Sequence, residues 1–170
     1  MFEYVTEFES QIAEFFGAPY AVATDSCTHA LELCLRHTKD DHITIPKRTY
    51  VSVPMTCMKL GLNWSWREEE WSDYYYLGGT NITDAAVLWG ENTYIPNTFM
   101  CLSFQFKKHL NLGRGGMILL QDRDDYNTLK KMSYDGRDFN RPWAEQDITT
   151  MGYHYYTVSY THLTLPTILL

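Results

Sequence analysis

No stretch of this sequence is long and apolar enough to span a bilayer, and its first residues lack the basic-then-apolar run of a secretion signal. The cytoplasm is therefore the expected compartment. Positive charge is also scarce: 14 Lys and Arg stand against 21 Asp and Glu, for a net charge of −7. That balance argues against nucleic acid or an anionic membrane as the main partner. The four cysteines, Cys27, Cys34, Cys57 and Cys101, show no paired spacing. They read as buried free thiols, not as a disulfide framework or a zinc site, and no metal is expected. Internal repeats and low-complexity linkers are missing too. Hydrophobic residues are plentiful at 45%, enough for a packed core.

The patterning alternates helix and strand. Thr6-Glu7-Phe8-Glu9 fits a capping box, and Phe8, Ile12, Phe15 and Phe16 recur at helical spacing up to Gly17. Tyr20 to Thr24 reads as a buried strand, Ala30 to Leu35 as a helix, and Ile43 to Ile45 as a strand stopped by Pro46. Val51 to Leu60 fits a helix with Pro54 near its first turn. Leu62 to Trp66, Asn81 to Thr83, Phe99 to Phe104 and Met117 to Leu120 read as strands, and Asp124 to Met132 as a helix. The acidic, aromatic stretch from Arg67 to Tyr76 reads as a surface excursion. Such alternation predicts an α/β fold: three layers, with a mostly parallel sheet flanked by helices. Ligands of such sheets sit at the carboxyl ends of the strands.

The chemically informative residues do follow strands. Asp25-Ser26-Cys27-Thr28 lies between a strand and a helix, where backbone N–H groups and hydroxyls suit a phosphate; ordinary N-capping is the alternative. Tyr50, after the strand ending at Pro46, can stack on an aromatic ligand or simply pack in the core. Asp84 can pair with a protonated pyridine nitrogen, or serve as a turn residue. Ser103-Phe104-Gln105-Phe106-Lys107-Lys108 leaves the end of an apolar strand and meets the turn Gly113-Arg114-Gly115-Gly116. A lysine desolvated there is a nucleophile for aldehydes; the alternative is an edge loop with two solvated cations.

Taken in order, these residues resemble the DegT/StrS family of pyridoxal-phosphate-dependent sugar aminotransferases, which share the aspartate aminotransferase fold. Ser26-Cys27-Thr28-His29-Ala30-Leu31 is similar to the family's phosphate loop, Asp84-Ala85-Ala86 to its Asp-Ala-Ala motif, and Tyr50 falls on its ring-stacking aromatic. The resemblance implies that Ser103 binds the phosphate and that Lys108 is the Schiff-base lysine, with Lys107 its rival. It implies pyridoxal 5'-phosphate as cofactor, an amino-acid donor (usually glutamate), a nucleotide-linked keto sugar as acceptor in glycan or polysaccharide biosynthesis, and a homodimer. His154 stands where the family has an asparagine that reaches a neighbouring subunit's cofactor phosphate. Val87 and Arg114 depart from the family pattern, and the stretch between Tyr50 and Asp84 is shorter by about one β–α unit. Dehydratases of the same fold carry histidine in place of the lysine, and His109 adjoins Lys108. A dehydratase, or an inactive cofactor-binding fragment, is the alternative reading.

Residues 1–157 read as one cofactor-binding large domain, truncated and without the family's C-terminal small domain. Val158-Ser159-Tyr160-Thr161-His162-Leu163 and the residues after it resemble a translated transposase-type sequencing adapter, which implies a non-native tail over 158–170. A β-rich C-terminus is the alternative.

Overall fold

Helix α1 (Phe2–Phe16) turns Val5, Phe8, Ile12 and Phe16 onto one buried face at helical spacing, in a computed structural model that describes residues 2–157. Each such fully buried side chain contributes about 1.5–3 kcal/mol. The expected capping box at Thr6 does not form. The helix starts a turn earlier, and Glu9 is drawn inward to accept the Ala23 N–H at 2.7 Å and to pair with Lys130. Gly17, at φ +76°, ends the helix.

The chain continues through β1 (Tyr20–Thr24), α2 (Cys27–Thr38), β2 (His42–Pro46), α3 (Ser52–Lys59) and β3 (Asn63–Arg67). A two-residue strand β4 (Tyr75–Tyr76) follows, then β5 (Ile82–Asp84), β6 (Phe99–Ser103), β7 (Gly116–Leu120) and α4 (Arg123–Ser133). A 3-10 turn occupies Trp143–Glu145. The main sheet has the order β1-β7-β6-β5-β4, and β2 and β3 form a parallel pair linked to it by a bridge between Thr44 and Gly78.

Three layers are present, and the sheet is mixed. β5 and β6 are parallel, whereas β7 runs antiparallel to both β1 and β6, and β4 antiparallel to β5. The reversals follow from short returns. The turn from 77 to 81 is too short for a crossover and returns the chain antiparallel, and the loop from 104 to 115 likewise folds β7 back beside β6. The Arg67 to Tyr76 stretch is accordingly not only a surface excursion: its end is the strand β4.

Strand alternation sorts the core into two sides. Ala21, Ala23, Met100, Leu102, Met117 and Leu119 pack with α1; Val22, Phe99, Cys101, Ile118 and Leu120 pack with residues of α2, α3 and α4. Among the described residues, no helix is long and apolar enough to cross a membrane. The tail read as adapter-derived lies outside the described residues.

Candidate active site

β1, β5 and β6 point their carboxyl ends the same way, and each ends in polar residues. Thr24 pairs with Gly116 and Gly116 with Ser103 across the sheet, so β1, β7 and β6 meet in register at that end. A cleft of about 250 Å³ opens there.

One wall is the start of α2. Ser26 is its N-cap, extended at φ −163°, with its hydroxyl accepting the His29 N–H at 3.2 Å. Its carbonyl accepts the Ala30 N–H at 3.0 Å, so Cys27 and Thr28 carry the first-turn N–H groups that have no partner within the helix. The Thr28 hydroxyl donates to Ser52 Oγ at 2.8 Å, and both residues line the cleft. Helix N-terminus and hydroxyls together form a cradle for an anion. Asp25 braces the turn: its carboxylate takes Arg114 Nη2 at 3.0 Å and His29 Nδ1 at 2.5 Å, and its N–H donates to the Tyr155 carbonyl at 2.8 Å. Arg114, a departure in the sequence pattern, thus brings a cation to the cleft beside the cradle.

The floor carries Asp84, which is 7% exposed. Its Oδ1 accepts the Ala86 N–H at 3.0 Å and its Oδ2 the Tyr75 hydroxyl at 2.7 Å. Burial pushes its pKa up; the Tyr75 donor, the Ala86 N–H and the Lys108 charge partly offset the rise. Lys108 and Ser103 also line the cleft, together with Gln105, whose carbonyl holds the Lys108 N–H at 2.8 Å. Lys107 and His109 are exposed, and Lys107 Nζ sits over the Phe106 ring. Tyr50 lies at the cleft with 70% of its surface exposed. Cys27 is half-buried rather than fully buried, and its thiol is raised well above the ordinary value by burial and the Asp84 charge, against the pull of Lys108. That shift favours the protonated, less nucleophilic form.

Of the residues singled out in the sequence, Ser26, Cys27, Thr28, Tyr50, Asp84, Ser103 and Lys108 meet in this cleft. His29 does not line it. Its ring stacks on Tyr155 at 3.7 Å and its nitrogen serves Asp25, so it braces the cradle from behind. His154 also lies outside the cleft, exposed, with Nδ1 3.1 Å from Asp135 Oδ2 and its backbone bridged to Tyr134. Sequence reasoning missed Ser52, Gln105 and Tyr75. Only Tyr75 had a signal: an aromatic run, then Gly78-Gly79, then a strand, which is a hairpin pattern.

The donor set fits pyridoxal phosphate. An anion cradle, a buried carboxylate and an amine surround one cleft, matching the phosphate, ring nitrogen and aldehyde of that molecule.

Residues 1–65 match the model of the DegT/DnrJ/EryC1/StrS aminotransferase family. No curated protein matches the sequence significantly. Among solved structures, AtS13 from Actinomadura melliaura is similar with 20% identity and a TM-score of 0.77, over 90% of this chain and 56% of that one. The sugar aminotransferase CalS13 from Micromonospora echinospora gives 15% and 0.75, over 91% and 57%. A GDP-4-keto-6-deoxymannose-3-dehydratase, ColD, gives 18% and 0.69, over 91% and 57%. The chain thus shares part of the fold of these structures and spans just over half their length.

Proposed function

We propose that this chain is the cofactor-binding part of a pyridoxal-phosphate-dependent aminotransferase. It would move an amino group from an amino acid, glutamate first among candidates, to a keto group of a nucleotide-linked sugar used in glycan biosynthesis. One observation carries the reading: Lys108, the buried Asp84 and the hydroxyl-rich start of α2 open on the same cleft.

Bound there, pyridoxal phosphate supplies an aldehyde that condenses with amines and a ring that withdraws electrons from the adjacent carbon. The chain's residues do the rest. The Cys27 and Thr28 N–H groups, with the Thr28 and Ser103 hydroxyls, hold the phosphate. Asp84 would pair with the ring nitrogen and favour its protonated form, which would keep the ring an electron acceptor. Tyr50, at the mouth of the cleft, would cover the ring. The Lys108 amine would anchor the cofactor through its aldehyde and, when free, would take up and give back a proton in the cleft as general base and acid. That Lys108 lines the cleft while His109 is exposed favours amino transfer over the dehydratase alternative. The protein is read as a cytoplasmic homodimer, with His154, outside its own cleft, offered to a second subunit.

The test is spectroscopic. With pyridoxal phosphate bound, glutamate is expected to convert the visible spectrum, and a nucleotide-linked keto sugar to restore it. A spectrum indifferent to every amino donor would reject the reading.

A further inference from the structure

The excursion between β3 and β5 has no part in the chemistry above, yet it delivers a side chain to the cleft floor. Tyr75 stands directly opposite Asp84 in the β4–β5 ladder and is only 2% exposed. Its hydroxyl donates to Asp84 Oδ2 at 2.7 Å and lies 2.5 Å from Thr49 Oγ1. A phenol has a single hydrogen, and here the carboxylate takes it; Thr49 must therefore donate into the Tyr75 oxygen. The Trp71 ring lies against the Tyr75 ring, with centroids 4.9 Å apart, while its Nε1–H donates to the Arg48 carbonyl at 2.6 Å. The loop that carries Tyr50 is thus tied through Thr49 and Tyr75 to the carboxylate on the cleft floor.

We propose that Tyr75 is a positioning residue for Asp84: its hydroxyl, backed by Thr49, fixes the direction in which the carboxylate presents its oxygens to the cleft. The proposal rests on the reading of Asp84 as the partner of the cofactor's ring nitrogen. With Oδ1 held by the Ala86 N–H and Oδ2 by Tyr75, the group cannot rotate, and each oxygen keeps a lone pair for a further partner.

The charge balance depends on the same contact. Asp84 is faced by Tyr75 from β4, Lys108 from the loop after β6, Cys27 from α2 and Cys101 from β6. Burial works against its ionised form, and the Tyr75 donor is the largest influence opposing burial. Tyr75 itself stays protonated, pushed far up by burial and by the Asp84 charge, so it remains a donor.

The test uses the cofactor-free protein with 13C-labelled aspartate carboxyls, the Asp84 signal being assigned by its loss in Asp84→Asn. Tyr75→Phe is expected to move the Asp84 titration upward by about one pH unit or more, since a hydrogen bond to the charged form is lost. Binding of pyridoxal phosphate should weaken by about tenfold in the same variant. Thr49→Val should shift the titration in the same direction by less. An Asp84 titration that stays put in folded Tyr75→Phe overturns the proposal, even if the melting temperature falls. Where Tyr75→Phe does not fold, Thr49→Val decides: an upward shift supports the proposal and none overturns it. Wild-type protein that fails to bind pyridoxal phosphate rejects the functional reading instead, and the titration still decides whether Tyr75 positions Asp84.

Discussion

Gly116 sits directly under the first turn of α2: a Cβ placed on it would stand 2.4 Å from the Cys27 backbone nitrogen. The other nearest atoms are the Ser26 carbonyl carbon and oxygen, so nothing near it is a flexible side chain. Its place in the ladder between Thr24 and Ser103 explains the approach, because α2 leaves β1 immediately above β7. Gly116→Ala is expected to push the anion cradle away from the sheet, costing about 1–3 kcal/mol of stability as overpacking does. Urea unfolding measures the first effect. Fluorescence titration with pyridoxal phosphate measures the second, a loss of affinity.

Much of this site was legible because strand ends and turn residues are local signals. Ser26 and Thr28 follow β1, Asp84 ends β5, and Ser103 and Lys108 follow β6, and all five line the cleft where those strand ends meet. Tyr75 showed only through the hairpin pattern around Gly78-Gly79, since a two-residue strand is too short to show alternation. The direction of β7 was hidden for a different reason: a fully buried strand reads the same whether its neighbours are parallel or antiparallel. Glu9 sat three residues after a threonine and so mimicked a capping box. Its true partner, Lys130, is far away in sequence, where local pattern gives no access.

Glu32, 1% exposed on α2, accepts from Arg36 at 2.8 Å, Lys59 at 2.9 Å and the Tyr155 hydroxyl at 3.0 Å. Burial alone would raise its pKa, but the bonds from Lys59, Arg36 and Tyr155 outweigh it and hold the carboxyl below its ordinary value. A depressed carboxyl stabilises the fold above its unfolded value and loses that contribution as the pH falls through the folded one. Glu32→Gln is therefore expected to destabilise the protein by about 1–3 kcal/mol at neutral pH and by progressively less in acid. Urea unfolding across that pH range checks it; a loss that does not shrink in acid would refute the assignment.

Glu9 and Lys130 form an ion pair with little of either side chain exposed, and burial raises the Glu9 pKa despite Lys130. Lys130→Met leaves a buried carboxylate without its cation and is expected to cost about 3–5 kcal/mol at neutral pH. A raised carboxyl gives its full stability below the unfolded value and loses it as the pH rises through the folded one, so the loss in Lys130→Met should grow with pH. Adding Glu9→Gln, which keeps an acceptor for the Ala23 N–H, should recover most of the stability. The double-mutant cycle in urea measures the recovery.

Arg114 and Asp25 pair at 3.0 Å, with the arginine side chain 72% exposed. An exposed pair of this kind is worth at most about 1 kcal/mol, so Arg114→Ala should lower the melting temperature by no more than about 4 °C. Its expected effect is instead on binding. Removing a cation from the cleft should weaken pyridoxal phosphate severalfold, and more at low salt than at high salt. Titrations at two ionic strengths would show it.

Lys108 is the most direct point of attack on the whole account. The protein is incubated with pyridoxal phosphate, reduced with borohydride and mapped by peptide mass spectrometry. A pyridoxyl group on Lys108, lost in Lys108→Ala and absent from Lys107, is the expected result. A folded protein that carries the label only on Lys107 or on other surface lysines, or that carries none, would contradict it.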